Sequence, residues 1–114
     1  MQIQVNTDHN IEGHESLTIH VSAVVKSALA RVSSHVTRVE VHLSDENGPK
    51  SRKDAKRCVM EARLEKRQPL AVTCHAETVH QAVQGAVEKL IRMIESDLDR
   101  QHDHALRSSD PSKL

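Results

Sequence analysis

The chain opens on a strict alternation of apolar and polar positions. In MQIQVN, Ile3 and Val5 fall on one side and Gln2, Gln4 and Asn6 on the other, the period of two that a half-buried strand requires. From Ser16 the spacing lengthens. Leu17, Val21, Val24, Val25, Ala28, Leu29 and Val32 recur every three or four positions, which predicts a helix over about 16–34. Valine leans toward strands, but period outranks propensity. TRVEVHLS returns to alternation, with Val39, Val41 and Leu43 inward. RCVMEARLEK does the same, setting Cys58, Met60, Ala62 and Leu64 against Val59, Glu61, Arg63 and Glu65. PLAVTCHA turns Leu70, Val72, Cys74 and Ala76 inward, and only the hairpin-length KRQ separates it from the strand before. Thr78 and Gln81 then fit a capping box ahead of a long stripe of Val79, Ala82, Val83, Ala86, Val87, Leu90, Ile94 and Leu98, a helix over about 78–99.

The predicted order is β-α-β-β-β-α, an α+β fold. Each strand has one apolar and one polar face, so the two helices are expected to pack on one face of a four-stranded mixed sheet and leave the other wet. The first strand-helix-strand unit should be a right-handed crossover between parallel strands, and the later strands antiparallel hairpins. Residues 1–100 read as a single domain. The remainder, QHDHALRSSDPSKL at 101–114, is polar and without periodicity, and is expected to be a disordered tail.

Composition narrows the picture. The chain of 114 residues has no Phe, Tyr or Trp, so aliphatic side chains must fill the core. The N-terminus lacks a cationic region followed by an apolar run, and no stretch approaches the roughly 20 apolar residues of a membrane span. A cytoplasmic protein is expected. No Ser/His/Asp order or carboxylate pair falls on predicted neighbouring elements, and three glycines leave no phosphate-binding loop, so no catalytic residues and no cofactor are expected.

The two cysteines, Cys58 and Cys74, point to the same face of neighbouring strands, with His75 and His80 close by in sequence. A metal or redox site is the competing reading. The shared face is the core face, and there is no C-x-x-C pair, so two buried, reduced thiols and no metal are expected. The nine histidines would add charge as pH falls toward about 6.

Charge is balanced in total, 16 cationic against 16 acidic residues, but not along the chain. GPKSRKDAKR, at 48–57, holds five cations. Between Gly48 and Arg67 eight cations stand against three carboxylates, while acids dominate around 95–103. The loop from Ser44 to Lys56 exceeds an ordinary hairpin connection, and such loops tend to carry function. Its cations suit phosphates without reading base sequence. The plainer reading is a solvated loop that blunts an exposed edge. Lys89 and Arg92 lie three apart on the final helix, spaced to grip adjacent phosphates, with Glu88 at ion-pair spacing from Arg92. Lys26 and Arg31 are five apart and diverge around the first helix.

The element order, the TRVEVHLSDENGP strand and loop, and the final helix AVQGAVEKLIRMI with its Lys-Leu-x-Arg core resemble the ribosome hibernation-promoting factor and ribosome-associated inhibitor family, also described as sigma-54 modulation protein-like, in its short form. The likeness covers roughly residues 1–95. It departs at ESDLDRQHDH, where several family members carry lysines. The resemblance implies a non-enzymatic bacterial protein that binds the small ribosomal subunit and its ribosomal RNA in the mRNA-tRNA channel and blocks translation in stress or stationary phase. It implies no membrane and no small-molecule substrate. On that pattern Arg31, Lys89 and Arg92 fall where the family carries cations. With the basic run added, the expected RNA-binding set is Lys26, Arg31, Lys50, Arg52, Lys53, Lys56, Arg57, Lys89 and Arg92. The alternative is a small protein-interaction or regulatory module that uses the open sheet face or the tail and binds no RNA.

Overall fold

A computed structural model describes the backbone of residues 1–8, 11, 14–46 and 55–109; the side chains of 14 and 101–109 are outside it. Strand β1 (Gln2–Thr7) leads into helix α1 (His14–Ala28) and a single 3₁₀ turn (Ala30–Val32). Strands β2 (Val36–Asp45), β3 (Lys56–Leu64) and β4 (Leu70–Ala76) follow, and helix α2 (Val79–Ser109) closes the chain. The sheet order is β1-β2-β3-β4. β1 runs parallel to β2, with Ile3 opposite Val39 and Val5 opposite Val41. The other two pairings are antiparallel.

The alternation read from the sequence decides which face is dry. Val39, Val41, Leu43, Cys58, Met60, Ala62, Leu64 and Val72 are buried in one cluster with Val21, Val25 and Leu29 of α1 and its end, and with Ala82, Val83, Ala86, Val87, Leu90 and Ile94 of α2. Both helices therefore share one face of the sheet. α2 covers β3 and β4, α1 covers β1, and the helices touch each other. Burying each valine, leucine, isoleucine or methionine of this cluster contributes about 1.5–3 kcal/mol, so many modest side chains do the work that aromatic anchors do elsewhere.

Close packing of α2 depends on one small residue. A Cβ placed on Gly85 would fall well inside 3.0 Å of Cys74 Sγ, nearer than such atoms approach, so with the Cys74 side chain where it stands glycine lets the helix settle over β4 at that point. The helix starts where the capping signal predicts: Thr78 Oγ1 accepts the Gln81 backbone N–H at 3.1 Å.

Three expectations need correction. The first helix does not run to 34: α1 ends at Ala28, Leu29 leaves the helical region, and Ser33 Oγ donates to the Ala30 carbonyl, a serine competing with the backbone for its hydrogen bonds. The connection between β2 and β3 is shorter than Ser44 to Lys56. Asp45 and Lys56 are paired strand residues, and Glu46 N–H donates to the Ala55 carbonyl at 3.0 Å. Finally, the last helix does not stop at 99, and the tail expected to be disordered is helical as far as Ser109. Gln101, Ala105, Leu106 and Arg107 are good helix formers, and no glycine or proline intervenes until Pro111, which disfavours helix in the residue before it. Residues 110–114 lie outside the described residues. Among the described residues, no helix is long and apolar enough to cross a membrane.

Candidate nucleic-acid interface

The predicted cations divide between two parts of the molecule. Lys26 occupies the last turn of α1, where positive charge complements the helix dipole, and its side chain is exposed. Arg31 follows on the 3₁₀ turn with 74% of its side chain exposed, and its guanidinium meets Glu95 of α2 at 3.1 Å. Such an exposed pair contributes about 0–1 kcal/mol and exchanges readily for another anion. Lys89 of α2 donates from Nζ to the Thr73 carbonyl on the edge strand β4 at 3.0 Å. Arg92, one turn on, is exposed. Glu88, at ion-pair spacing from Arg92, instead accepts from Gln84 Nε2 at 3.1 Å. Among the described residues, Lys26 and Arg92 meet no carboxylate. All four side chains thus belong to the helical layer, away from the open sheet face.

Lys56 and Arg57 sit at the far end of β3 and are already engaged. Lys56 Nζ lies 2.5 Å from Asp45 Oδ2, across the strand pair, and Asp45 is only 6% exposed. Arg57 Nε lies 3.6 Å from Glu46 Oε1, an oxygen also 3.3 Å from His75 Nε2. The expectation that Lys56 rides on a solvated loop is therefore corrected: a buried carboxylate fixes it on the strand. Lys50, Arg52 and Lys53 lie outside the described residues.

Two further cations of the basic middle stretch, Arg63 and Arg67, are also paired. Arg63 lies 3.5 Å from Glu61 on the open face. Arg67 is half-buried, its side chain 14% exposed, and bonds to Asp97 of α2 through both a carboxylate oxygen, at 2.8 Å, and the backbone carbonyl, at 3.0 Å. Among the described residues, four cations of that stretch, Lys56, Arg57, Arg63 and Arg67, thus stand against carboxylates. On the same open face Arg38, which the sequence pattern does not single out, contacts the Gln4 side-chain oxygen and pairs with Glu40 at 2.8 Å. The wet side of the sheet is a lattice of matched charges rather than a basic surface. Arg38–Glu40 and Arg63–Glu61 are each two positions apart on one strand face, the period-two spacing, whereas the Arg38–Gln4 contact joins different strands.

The cysteines are placed opposite one another in the β3–β4 register. Cys58 is fully buried, and burial, with Cys74 beside it, pushes its thiol up to about 12. Cys74 is only half-buried, which corrects the expectation that both are enclosed. Among the described residues, no three His, Cys, Asp or Glu side chains gather as a metal centre would need. His20 of α1 and His80 of α2 pack edge to face with ring centroids 4.7 Å apart, so two of the nine histidines help join the helices.

A family model described as Sigma 54 modulation protein / S30EA ribosomal protein matches residues 4–102. Among solved structures, a ribosomal subunit interface protein from Coxiella burnetii superposes with a TM-score of 0.64 at 12% identity, covering 87% of this chain and 99% of that one. The N-terminal domain of Protein Y from Thermus thermophilus superposes with a TM-score of 0.62 at 19% identity, covering 84% and 98%. At these identities the likeness is one of fold. No curated protein matches the sequence.

Proposed function

Because the chain belongs to the Sigma 54 modulation protein / S30EA ribosomal protein family, we propose that it is a non-enzymatic hibernation factor that binds the small ribosomal subunit in the mRNA-tRNA channel. Its partner there is ribosomal RNA, and its effect is to halt translation in the cytoplasm of stressed or stationary-phase bacteria. The observation that carries the proposed interface is the state of the helical layer. Lys26 and Arg92 are exposed and meet no carboxylate among the described residues, and Arg31 is held only by a solvent-exposed ion pair. Cations in that state reach phosphates without first breaking a buried bond, and each phosphate neutralised releases counterions. Lys56 and Arg57, with carboxylates already against them, are weaker contributors than the sequence suggests. Lys50, Arg52 and Lys53 complete the proposed contact set.

Co-sedimentation with purified small subunits tests the proposal. The chain is expected to pellet with them at low salt, to be released as salt rises, and to be displaced by mRNA with bound tRNA. Pelleting unaffected by those ligands would remove the channel from the reading, and absence of pelleting at low salt would remove the ribosome.

A further inference from the structure

Cys58 and Cys74 are the two thiols of the chain, and they stand directly opposite one another on antiparallel strands with both side chains toward α2. Directly opposed residues of an antiparallel pair have Cα atoms about 4.5 or 5.5 Å apart, depending on whether they exchange hydrogen bonds. Both values lie within the roughly 4.4–6.8 Å that a disulfide spans. The Cβ atoms of such a pair lie about 4.5–5.5 Å apart against about 3.5–4.5 Å in a disulfide, so a small local approach of the two strands brings the sulfurs into reach.

The two sites differ in access. Cys58 is sealed by the helix, whereas Cys74, on the edge strand, is half-buried, and its Sγ is 3.8 Å from the His75 carbonyl. An oxidant arriving from solvent meets Cys74 first. That sulfur also rests against Gly85 of α2.

We propose that Cys58 and Cys74 form a reversible cross-strand disulfide in response to hydroperoxides, with Cys74 as the point of attack and Cys58 as the resolving thiol. In the first step the Cys74 sulfur takes one oxygen from the peroxide, whose O–O bond breaks. Cys74 becomes a sulfenic acid and the peroxide is reduced to water or an alcohol. In the second step the Cys58 sulfur bonds to the Cys74 sulfur while the S–O bond breaks, and the departing hydroxide leaves as water with the Cys58 proton. A dithiol reverses the change. Burial keeps Cys58 protonated, which makes the second step the slow one and stops Cys58 from reacting alone.

The test is mass spectrometry of the folded, full-length chain treated with hydrogen peroxide at low protein concentration. The expected product is a monomer lighter by two hydrogen atoms, with a single cross-linked peptide joining the segments of Cys58 and Cys74, restored by dithiothreitol. In Cys58→Ala the oxidised Cys74 should instead accumulate as a sulfenic acid that dimedone traps. Sulfinic acid on Cys74 with Cys58 still free, disulfide-linked dimers, or a cross-link that forms only in denaturant would each overturn the proposal. The wild-type readout stands even where the variant does not fold.

Discussion

Arg67 reaches from the β3–β4 turn to Asp97 on α2 and holds it twice, through the carboxylate at 2.8 Å and the backbone carbonyl at 3.0 Å. The turn residue before it, Lys66, adopts a left-handed φ of 61°. The two partners are 30 positions apart in sequence. Their contact ties the tip of the sheet's last hairpin to the second half of the long helix, past the point where the apolar stripe thins out.

Replacing Arg67 with alanine is expected to lower unfolding stability by about 1–3 kcal/mol, because Asp97 keeps only the exposed Arg100 as a partner and the turn loses its anchor. Lysine should restore only part of this, since its strongly hydrated ammonium on a flexible stem lacks the planar, preorganised guanidinium of arginine. Urea unfolding of the three proteins measures the effect, and equal midpoints would show the clasp to be energetically idle.

Gly85→Ala sets two effects against each other. Alanine favours a helix over glycine by about 1 kcal/mol, but its Cβ would collide with Cys74 Sγ. Overpacking of this kind costs about 1–3 kcal/mol, so a net loss is expected. Removing the sulfur should reverse the sign: in a Cys74→Ala background, Gly85→Ala should be neutral or stabilising. A double-mutant cycle in which the two changes simply add would mean that the collision is relieved elsewhere.

The Cys58 thiol gives stability a pH dependence on the alkaline side. Its folded-state pKa is raised from 9.0 to about 12, so above pH 9 the unfolded chain releases a proton that the folded chain keeps. Stability from this source is complete below pH 9 and declines toward pH 12, by at most about 1.4 kcal/mol per pH unit. The chain has no tyrosine, so no phenol titrates in that window. Unfolding measured from pH 8 to 11 should show the decline in the wild type and a flatter profile in Cys58→Ala.

Much of the fold was legible because a strand with one dry face must alternate. Val39, Val41 and Leu43, or Cys58, Met60 and Ala62, have no other arrangement that buries them all on the same side. The helix limits were less legible. Leu29 has the right spacing to continue α1 and is fully buried, yet it marks the helix's end, because where the chain must turn toward β2 is settled by the sheet. The charged sites were least legible. Lys56 and Arg57 look like members of one basic run, and only strand pairing sets Asp45 opposite Lys56 and brings Glu46 within reach of Arg57. Arg67 and Asp97 share no local pattern at all. Sequence counts charges, whereas binding depends on which of them still lack a partner.

The pairing of Lys56 with Asp45 sets it apart from the rest of the proposed contact set. Reversing Lys50, Arg52 and Lys53 to glutamate should weaken binding to small ribosomal subunits and lower the slope of log affinity against log salt by about 0.7–0.9 for each phosphate that is no longer neutralised. Arg92→Glu should act in the same way, since Arg92 is exposed and meets no carboxylate among the described residues. Lys56→Ala should behave differently: it removes the Lys56–Asp45 ion pair, whose carboxylate residue is 6% exposed, and should cost stability, while the salt slope stays close to that of the parent. Binding isotherms at several salt concentrations, paired with unfolding curves for each variant, separate the two classes. If reversal at Lys50, Arg52 and Lys53 leaves the slope unchanged while Arg92→Glu lowers it, the helical layer alone holds the RNA and the run serves solubility.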